Sequence, residues 1–393
     1  MDTASLDSLV TDSAAASSAW GGARRVNNGS INILPDGTAS MPIGRLAKAH
    51  GLGFGLVTTA TVTHATPAGF AANVPARSEE FEIAPQYLDC VDVILGGGSL
   101  FFDPAKRPDG VDLIQKFSQS GYAIVRNREE LANATGSRKI LGLFAEGHLP
   151  FVIDRPSDPS CKDRVPTLAE ATSSALRLLA GRGTGFLLQI EGARVDHAAH
   201  HNDIATLLHE QLDFDDALGV ALDFAEKDGN TLIIVTSDHG NSNPGLNGTG
   251  PAYTESTTAF AKIAGATGSF YALSEWAGER IKNGEAPEPH EFAARAAETL
   301  GFYPSHSEAM RLLEYLSAKF EPDWSIQHAN YWGLLGRVAG NHFSTGWTGI
   351  SHTSDYTIVT AKGPGAERFA GLLRNDTIGA YLRELLDLEA AAV

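Results

Sequence analysis

The sequence predicts an α/β fold: a doubly wound, mostly parallel sheet with helices on both faces, plus an inserted helical and irregular subdomain. Three observations carry this. Short, near-continuous apolar runs recur along the chain up to residue 237. Each is followed by polar residues and then by a helical pattern, the alternation that builds a parallel sheet. The alternation stops near residue 245, and a strand-like run returns only at 356–363.

The expected strands are "FGLVTTA" near 54–60, "VDVILGG" near 91–97, "ILGLFA" at 140–145, "GFLLQI" at 185–190 and "NTLIIVTS" at 230–237. Runs that are apolar throughout are strands buried between two layers of helix. The helical segments between them include "TLAEATSSALRLLAG" at 167–181 and "ATLLHEQLDFDDALGVALDFAEKDG" at 205–229. From "NPGLNGTGPAYTESTT" the chain turns irregular and then helical. One helix is expected in "SEAMRLLEYLSAKF", with Ser307 as its cap and Leu312, Leu313, Leu316 and Phe320 as its apolar stripe. This gives a catalytic α/β core at 1–244, an insertion at 245–345 acting as lid or oligomer contact, and a return to the core at 346–393.

The chain has 393 residues, enough for two or three domains or one large α/β domain with an insertion. Its 43% hydrophobic and 20% charged content is that of an ordinary globular protein. A net charge of -17 argues against nucleic-acid binding, because a polyanion would be repelled. Cys90 and Cys161 fit either one disulfide or two unreactive thiols, and exclude a cysteine-rich metal site. No apolar run is long enough to span a membrane, and the first residues carry no export signal.

The stretch "VTDSAAASSAW" at 10–20 has two readings. Asp12 or Ser13 could cap a helix whose small residues allow close packing. Alternatively, a serine at a helix start, where anions are favoured, could be a nucleophile toward phosphate. The rest of the chain weighs on this choice, because ligands of an open α/β sheet bind at the carboxyl ends of its strands. Those ends carry His64 and Thr66, then Glu191, Asp196 and His200, then Asp238 and His239. Asp196 and His200 are spaced i, i+4, so one helix face presents both to a single ion. Each residue alone has a structural explanation, as a cap, a turn or a solvated face. Their gathering at one sheet edge does not. Mixed Asp and His ligands suit zinc, and Glu and Thr oxygens suit magnesium. Paired ions suit in-line phosphoryl displacement.

These residues resemble the alkaline phosphatases, in "VTDSAAASSAW", "THATPAGFAANVPAR", "LLQIEGARVDHAAH", "IVTSDHG" and "GISHTSD", in the family's order. The resemblance implies that Ser13 is a nucleophile forming a phosphoserine, with Asp12 orienting Arg77, whose planar fork holds two phosphate oxygens. It implies a first zinc on Asp196, His200 and His352, a second on Asp238 and His239, and a magnesium on Thr66 and Glu191. His64 and His197 are placed around magnesium and phosphate, and a histidine at 64 is expected to let zinc compete for the magnesium site. The implied substrates are small phosphate monoesters, with a homodimer expected and the periplasm or medium as the location of the full-length protein.

One departure matters. The family's first strand ends in an Asp-Gly that bridges two of the metals, upstream of the nucleophile. Here Asp2 and Asp7 follow no apolar run, and Asp36, Asp109 and Asp228, the Asp-Gly pairs, come after Ser13. The expectation is that an upstream strand belongs to the full protein and that residues 1–393 alone are poorly soluble and nearly inactive. The rival readings are a phosphodiesterase, sulfatase or phosphoglycerate mutase on the same scaffold, or a metal-binding protein inert for lack of that aspartate.

Overall fold

Five parallel strands form the central sheet of the computed structural model, which describes residues 1–248, 253–317 and 330–388. They are β1 (Gly53–Thr61), β2 (Val93–Gly97), β3 (Ala123–Val125), β4 (Ile140–Leu143) and β5 (Phe186–Glu191), in the spatial order β3-β4-β2-β1-β5. Side chains alternate between two cores, as the period of two requires. Phe54, Leu56, Ile94 and Leu141 enter one, while Val57, Val93, Leu95 and Ile140 enter the other. The sheet therefore carries an apolar layer on each face, as expected. Cys90 lies in the first core and Cys161 in the second; both are free thiols, which removes the disulfide alternative.

The run "NTLIIVTS" departs from its expected place. Its strand β6 (Ile233–Val235) lies outside the parallel sheet and pairs antiparallel with a later strand, Thr360–Lys362. Among the described residues β5 has no partner on its outer edge. Its six residues are all half-buried, whereas every residue of β1 and β2 is buried.

Helix α1 (Ser13–Gly21) answers the question of the small residues. It packs against α2 (Ala65–Ala71) so closely that a Cβ on Gly21 would lie 2.0 Å from the Gly69 carbonyl oxygen. A Cβ on Gly69 would in turn meet Ser17 Oγ at 2.4 Å. All nine residues of α1 are buried. The helix beginning at Asn375 makes a similar approach, its Gly379 lying against the Trp20 carbonyl.

On the opposite face lies α3 (Leu168–Ala180), opened by a Thr167–Glu170 capping box. Gly53 and Gly55 leave room for its Leu179 on the sheet. After β5 come α4 (Arg194–His200) and the long α5 (Ile204–Asp228), matching the second helical run. Two short strands follow, β7 (Gly240–Asn241) and β8 (Pro244–Leu246).

Between residues 253 and 343 the helices α6 (Phe270–Lys282), α7 (Pro289–Leu300), α8 (His306–Leu316) and α9 (Tyr331–Phe343) enclose a third core around Phe270, Phe292, Leu312 and Leu335. The cap of α8 is Ser305, not Ser307: its Oγ accepts from the Glu308 amide, and Glu308 returns the bond to the Ser305 amide. Both serines could cap, but only Ser305 has a glutamate three residues on. Leu312 and Leu313 are buried and Leu316 packs against the same core, while Phe320 lies outside the described residues. Strand β9 (Thr345–Trp347) pairs with β8, zipping together the two ends of this segment. The chain then forms β10 (His352–Thr353), paired with β7, and β11 (Thr360–Lys362), the partner of β6.

Because backbone sits where a side chain would go, Gly21→Ala should cost about 1–3 kcal/mol of stability, the usual price of overpacking. Chemical denaturation would check this. An unchanged midpoint would mean that the α1–α2 contact is not close-packed.

Candidate active site

The functional residues collect where the sheet order reverses. Chain direction takes β1 toward β2 on one side, while β5 joins on the other, and such a reversal is where sheets of this kind bind ligands beyond the carboxyl ends of their strands. Register brings their ends together: Thr58 of β1 pairs with Glu191 of β5, and its Oγ1 donates to Glu191 Oε2 at 2.6 Å.

The capping reading of the N-terminal stretch holds, with Asp12 rather than Ser13 as the cap. Asp12 is the N-cap of α1, Oδ1 accepting from the Ala15 amide at 2.9 Å. Its Oδ2 pairs with Arg77 Nη1 at 3.0 Å. One carboxylate thus fixes the helix start and aims the guanidinium. Ser13, the first helical residue, is buried, with its Oγ 3.1 Å from His239 Nε2. His239 Nε2 is also 3.0 Å from Asp238 Oδ2. Burial would raise the Asp238 carboxyl, but the adjacent His239 outweighs it and holds the group well below the usual carboxylate range.

Asp196, His200 and His352 converge from α4 and β10, their ligand atoms all lying within 4.8 Å of one another. His200 Nδ1 is 2.7 Å from the Ile350 carbonyl and His352 Nδ1 is 2.8 Å from the Thr11 carbonyl. A carbonyl only accepts, so each Nδ1 carries the hydrogen and each Nε2 presents a lone pair. Those two Nε2 atoms face each other at 3.1 Å, beside the Asp196 carboxylate at 3.5 and 3.8 Å. Two lone pairs and a carboxylate repel unless a cation lies among them. The donor set therefore fits a divalent metal. Asn241 Nδ2 holds the carboxylate, 2.5 Å from Asp196 Oδ1.

Glu191 is the third focus. Burial pushes its carboxyl up to about 7, against hydroxyl bonds from Thr58 and Thr66. An oxygen-only set of Glu191 and Thr66 suits a hard cation.

His64 lies against Arg77. Arg77 Nη2 lies 3.2 Å from its Nε2, and a guanidinium only donates, so that nitrogen accepts. Its Nδ1 is buried with no hydrogen-bond partner. Burial and Arg77 lower its pKa to about 3. The ring adjoins His197 and His148, with centroids 5.6 and 5.5 Å away.

His148 and Arg194 escaped the sequence reading, as did Asn241 and Thr58. Arg194 Nη1 bonds His197 Nδ1 at 2.8 Å. The signal for His148 was available: it follows β4 in "AEGHLP", obeying the same strand-end rule as His64 and Glu191. Arg194 had no such signal, since an arginine beginning a helix is ordinary.

The alkaline phosphatase family profile matches residues 1–388. Alkaline phosphatase 3 of Bacillus subtilis is 33% identical over 378 residues, covering 94% of this chain and 75% of that protein. The streptomycin-6-phosphate phosphatase of Streptomyces griseus is 38% identical over 277 residues, 59% of this chain and 62% of that protein. Among solved structures, the alkaline phosphatase of Thermus thermophilus superposes with a TM-score of 0.90 at 34% identity, over 99% of this chain and 82% of that one. The residues described above gather at the sheet edge where an open α/β sheet binds its ligand, and the chain belongs to the alkaline phosphatase family, metal-dependent phosphoric monoester hydrolases.

Proposed function

We propose that the chain hydrolyses phosphate monoesters to alcohol and inorganic phosphate through a phosphoserine at Ser13. The observation that carries this is Ser13 Oγ, 3.1 Å from His239 Nε2, at the start of a helix whose cap also holds Arg77. Arg77 takes two nonbridging oxygens in its fork, which a diester would partly block. Ser13 Oγ attacks phosphorus as the bond to the ester oxygen breaks and the alcohol leaves. Water then cleaves the seryl ester and frees Ser13.

The residues suit two zinc ions, one on Asp196, His200 and His352, the other on Asp238 and His239. Thr66 and Glu191, with Thr58 behind, suit a magnesium. Bound there, such ions supply neutralising charge and ionise a hydroxyl or water near neutral pH. Glu191 lies on β5, whose outer edge has no strand partner among the described residues. Residues 245–345 fit a lid or an oligomer contact, since β8 and β9 anchor them beside β7 and β10. A homodimer, and action in the periplasm or medium, complete the reading. Among the described residues no helix is long and apolar enough to cross a membrane.

Ser13→Ala in the zinc-loaded protein should lower turnover of a chromogenic monoester by about 10⁴- to 10⁶-fold, the scale of nucleophile loss in covalent hydrolases. Acid-trapped radiolabelled phosphate should map to Ser13. Labelling of another residue, or a fully active Ala variant, would refute the assignment.

Asp196→Ala and His352→Ala should each reduce bound zinc by about one ion per chain, since an open catalytic site rests on three protein ligands. Elemental analysis checks this. Unchanged zinc in both variants would show that the three side chains do not form a metal site.

A further inference from the structure

Arg77 sits in a connecting stretch, between α2 and a short helix that spans Glu80–Gln86. Connecting segments are the mobile parts of a fold, so a side chain carried on one needs fastening. On the incoming side the stretch is pinned through its backbone. Val74 and Ile31 exchange two bonds, at 3.0 and 3.1 Å, and the Arg77 amide donates to the Gly29 carbonyl at 2.7 Å. On the outgoing side the fastening is one carboxyl oxygen. Glu80 Oε2 accepts from Thr61 Oγ1 at 2.8 Å and from Thr63 Oγ1 at 2.6 Å.

An acid in the first turn of a helix ordinarily faces solvent and meets the helix dipole there. Glu82, two residues on, is exposed in that way. Glu80 turns inward instead. Both threonines are buried, at 3% and 0% exposure, so its two bonds are made away from water, where they are electrostatically stronger. Burial raises the Glu80 carboxyl, while the two hydroxyls and the Arg77 charge act the other way.

The position of the threonines gives this clasp its consequence. Thr61 ends β1, and the His64 amide donates to its carbonyl at 3.0 Å, closing a turn from Thr61 to His64. Arg77 Nη2 lies against His64 at the end of that turn. Glu80 is three residues beyond Arg77, and Thr63 is one residue before His64. One carboxyl group therefore fixes, relative to each other, the two segments that meet at the guanidinium. The far end of the same helix is held independently, since the Tyr87 hydroxyl donates to the Val62 carbonyl at 2.9 Å. Loss of Glu80 loosens the Arg77 end and leaves that second tie in place.

We propose that Glu80 is a positioning residue for phosphate binding: by clasping Thr61 and Thr63 it holds the Arg77 fork where two phosphate oxygens meet it. Glu80 itself touches no substrate and acts only through Arg77. The inference rests on the phosphatase reading in one respect, that Arg77 receives phosphate, and its test does not need turnover.

Calorimetry with inorganic phosphate on the zinc-loaded protein is the test. Glu80→Ala should weaken phosphate about tenfold, because a misplaced donor loses much of its bond. Glu80→Gln, whose amide oxygen still accepts both hydroxyls, should restore most of that affinity. Thr63→Val removes one hydroxyl from the sheet side of the clasp and should weaken phosphate in the same direction. Bound zinc should stay at the parent's level in all three. In an Arg77→Ala background, Glu80→Ala should cost no further affinity, whereas a merely structural role would add its loss there too. Parent-like affinity in both Glu80→Ala and Thr63→Val would overturn the role of Glu80. So would an equal loss with and without Arg77. A parent that binds phosphate through Arg77 yet does not hydrolyse phenyl phosphate would count against the phosphatase reading alone.

Discussion

Two imidazole nitrogens with exposed lone pairs face each other across 3.1 Å, with a carboxylate beside them. That arrangement is repulsive by itself, and the fold holds it from behind. The Ile350 and Thr11 carbonyls fix the two rings, and Asn241 fixes Asp196. The constraint reaches far through the chain. His352 comes from the segment beyond residue 345, Asp196 and His200 from the helix after β5, and Thr11 from the stretch that leads into Ser13. A cation at this point would tie the stretch leading into Ser13, the central sheet and the C-terminal return into one unit.

The polar groups divide by what they can offer. The acceptors are the lone pairs of His200 and His352 and the carboxylates of Asp196, Asp238 and Glu191. The donors are the guanidinium groups of Arg77 and Arg194. Asp12 stands at the boundary, capping the helix with one oxygen and holding Arg77 with the other. Under the proposed function a phosphate ester would sit between these two sets. Net charge of -17 is no obstacle, because the local field is set by groups a few ångströms away.

Much of this was legible in the sequence. Apolar runs marked β1, β2, β4 and β5, because a strand buried on both faces must be apolar throughout. The strand-end rule found Glu191, Asp238 and His239, and the i, i+4 spacing found Asp196 with His200. Arg77 and His352 came only through family resemblance, since neither lies at a spacing that local geometry rewards. β6 was misplaced because its composition is that of a core strand, while its partner is decided by residues 360–362, far along the chain. The cap of α8 was put two residues late, where a second serine competes. Histidine tautomers could not be read at all. They depend on which atom of a distant residue faces each ring nitrogen, as the Thr11 carbonyl does for His352.

The account's central claim is that the lone pairs of His200 and His352 share a metal beside a nucleophilic Ser13. A crystal structure of the zinc-loaded protein with vanadate, recorded across the zinc absorption edge, tests it most directly. The account predicts an anomalous peak within bonding distance of both Nε2 atoms and the Asp196 carboxylate, and vanadium joined to Ser13 Oγ with Arg77 on its oxygens. The two rings turned apart with no anomalous peak between them, or vanadate bound away from Ser13, would contradict it.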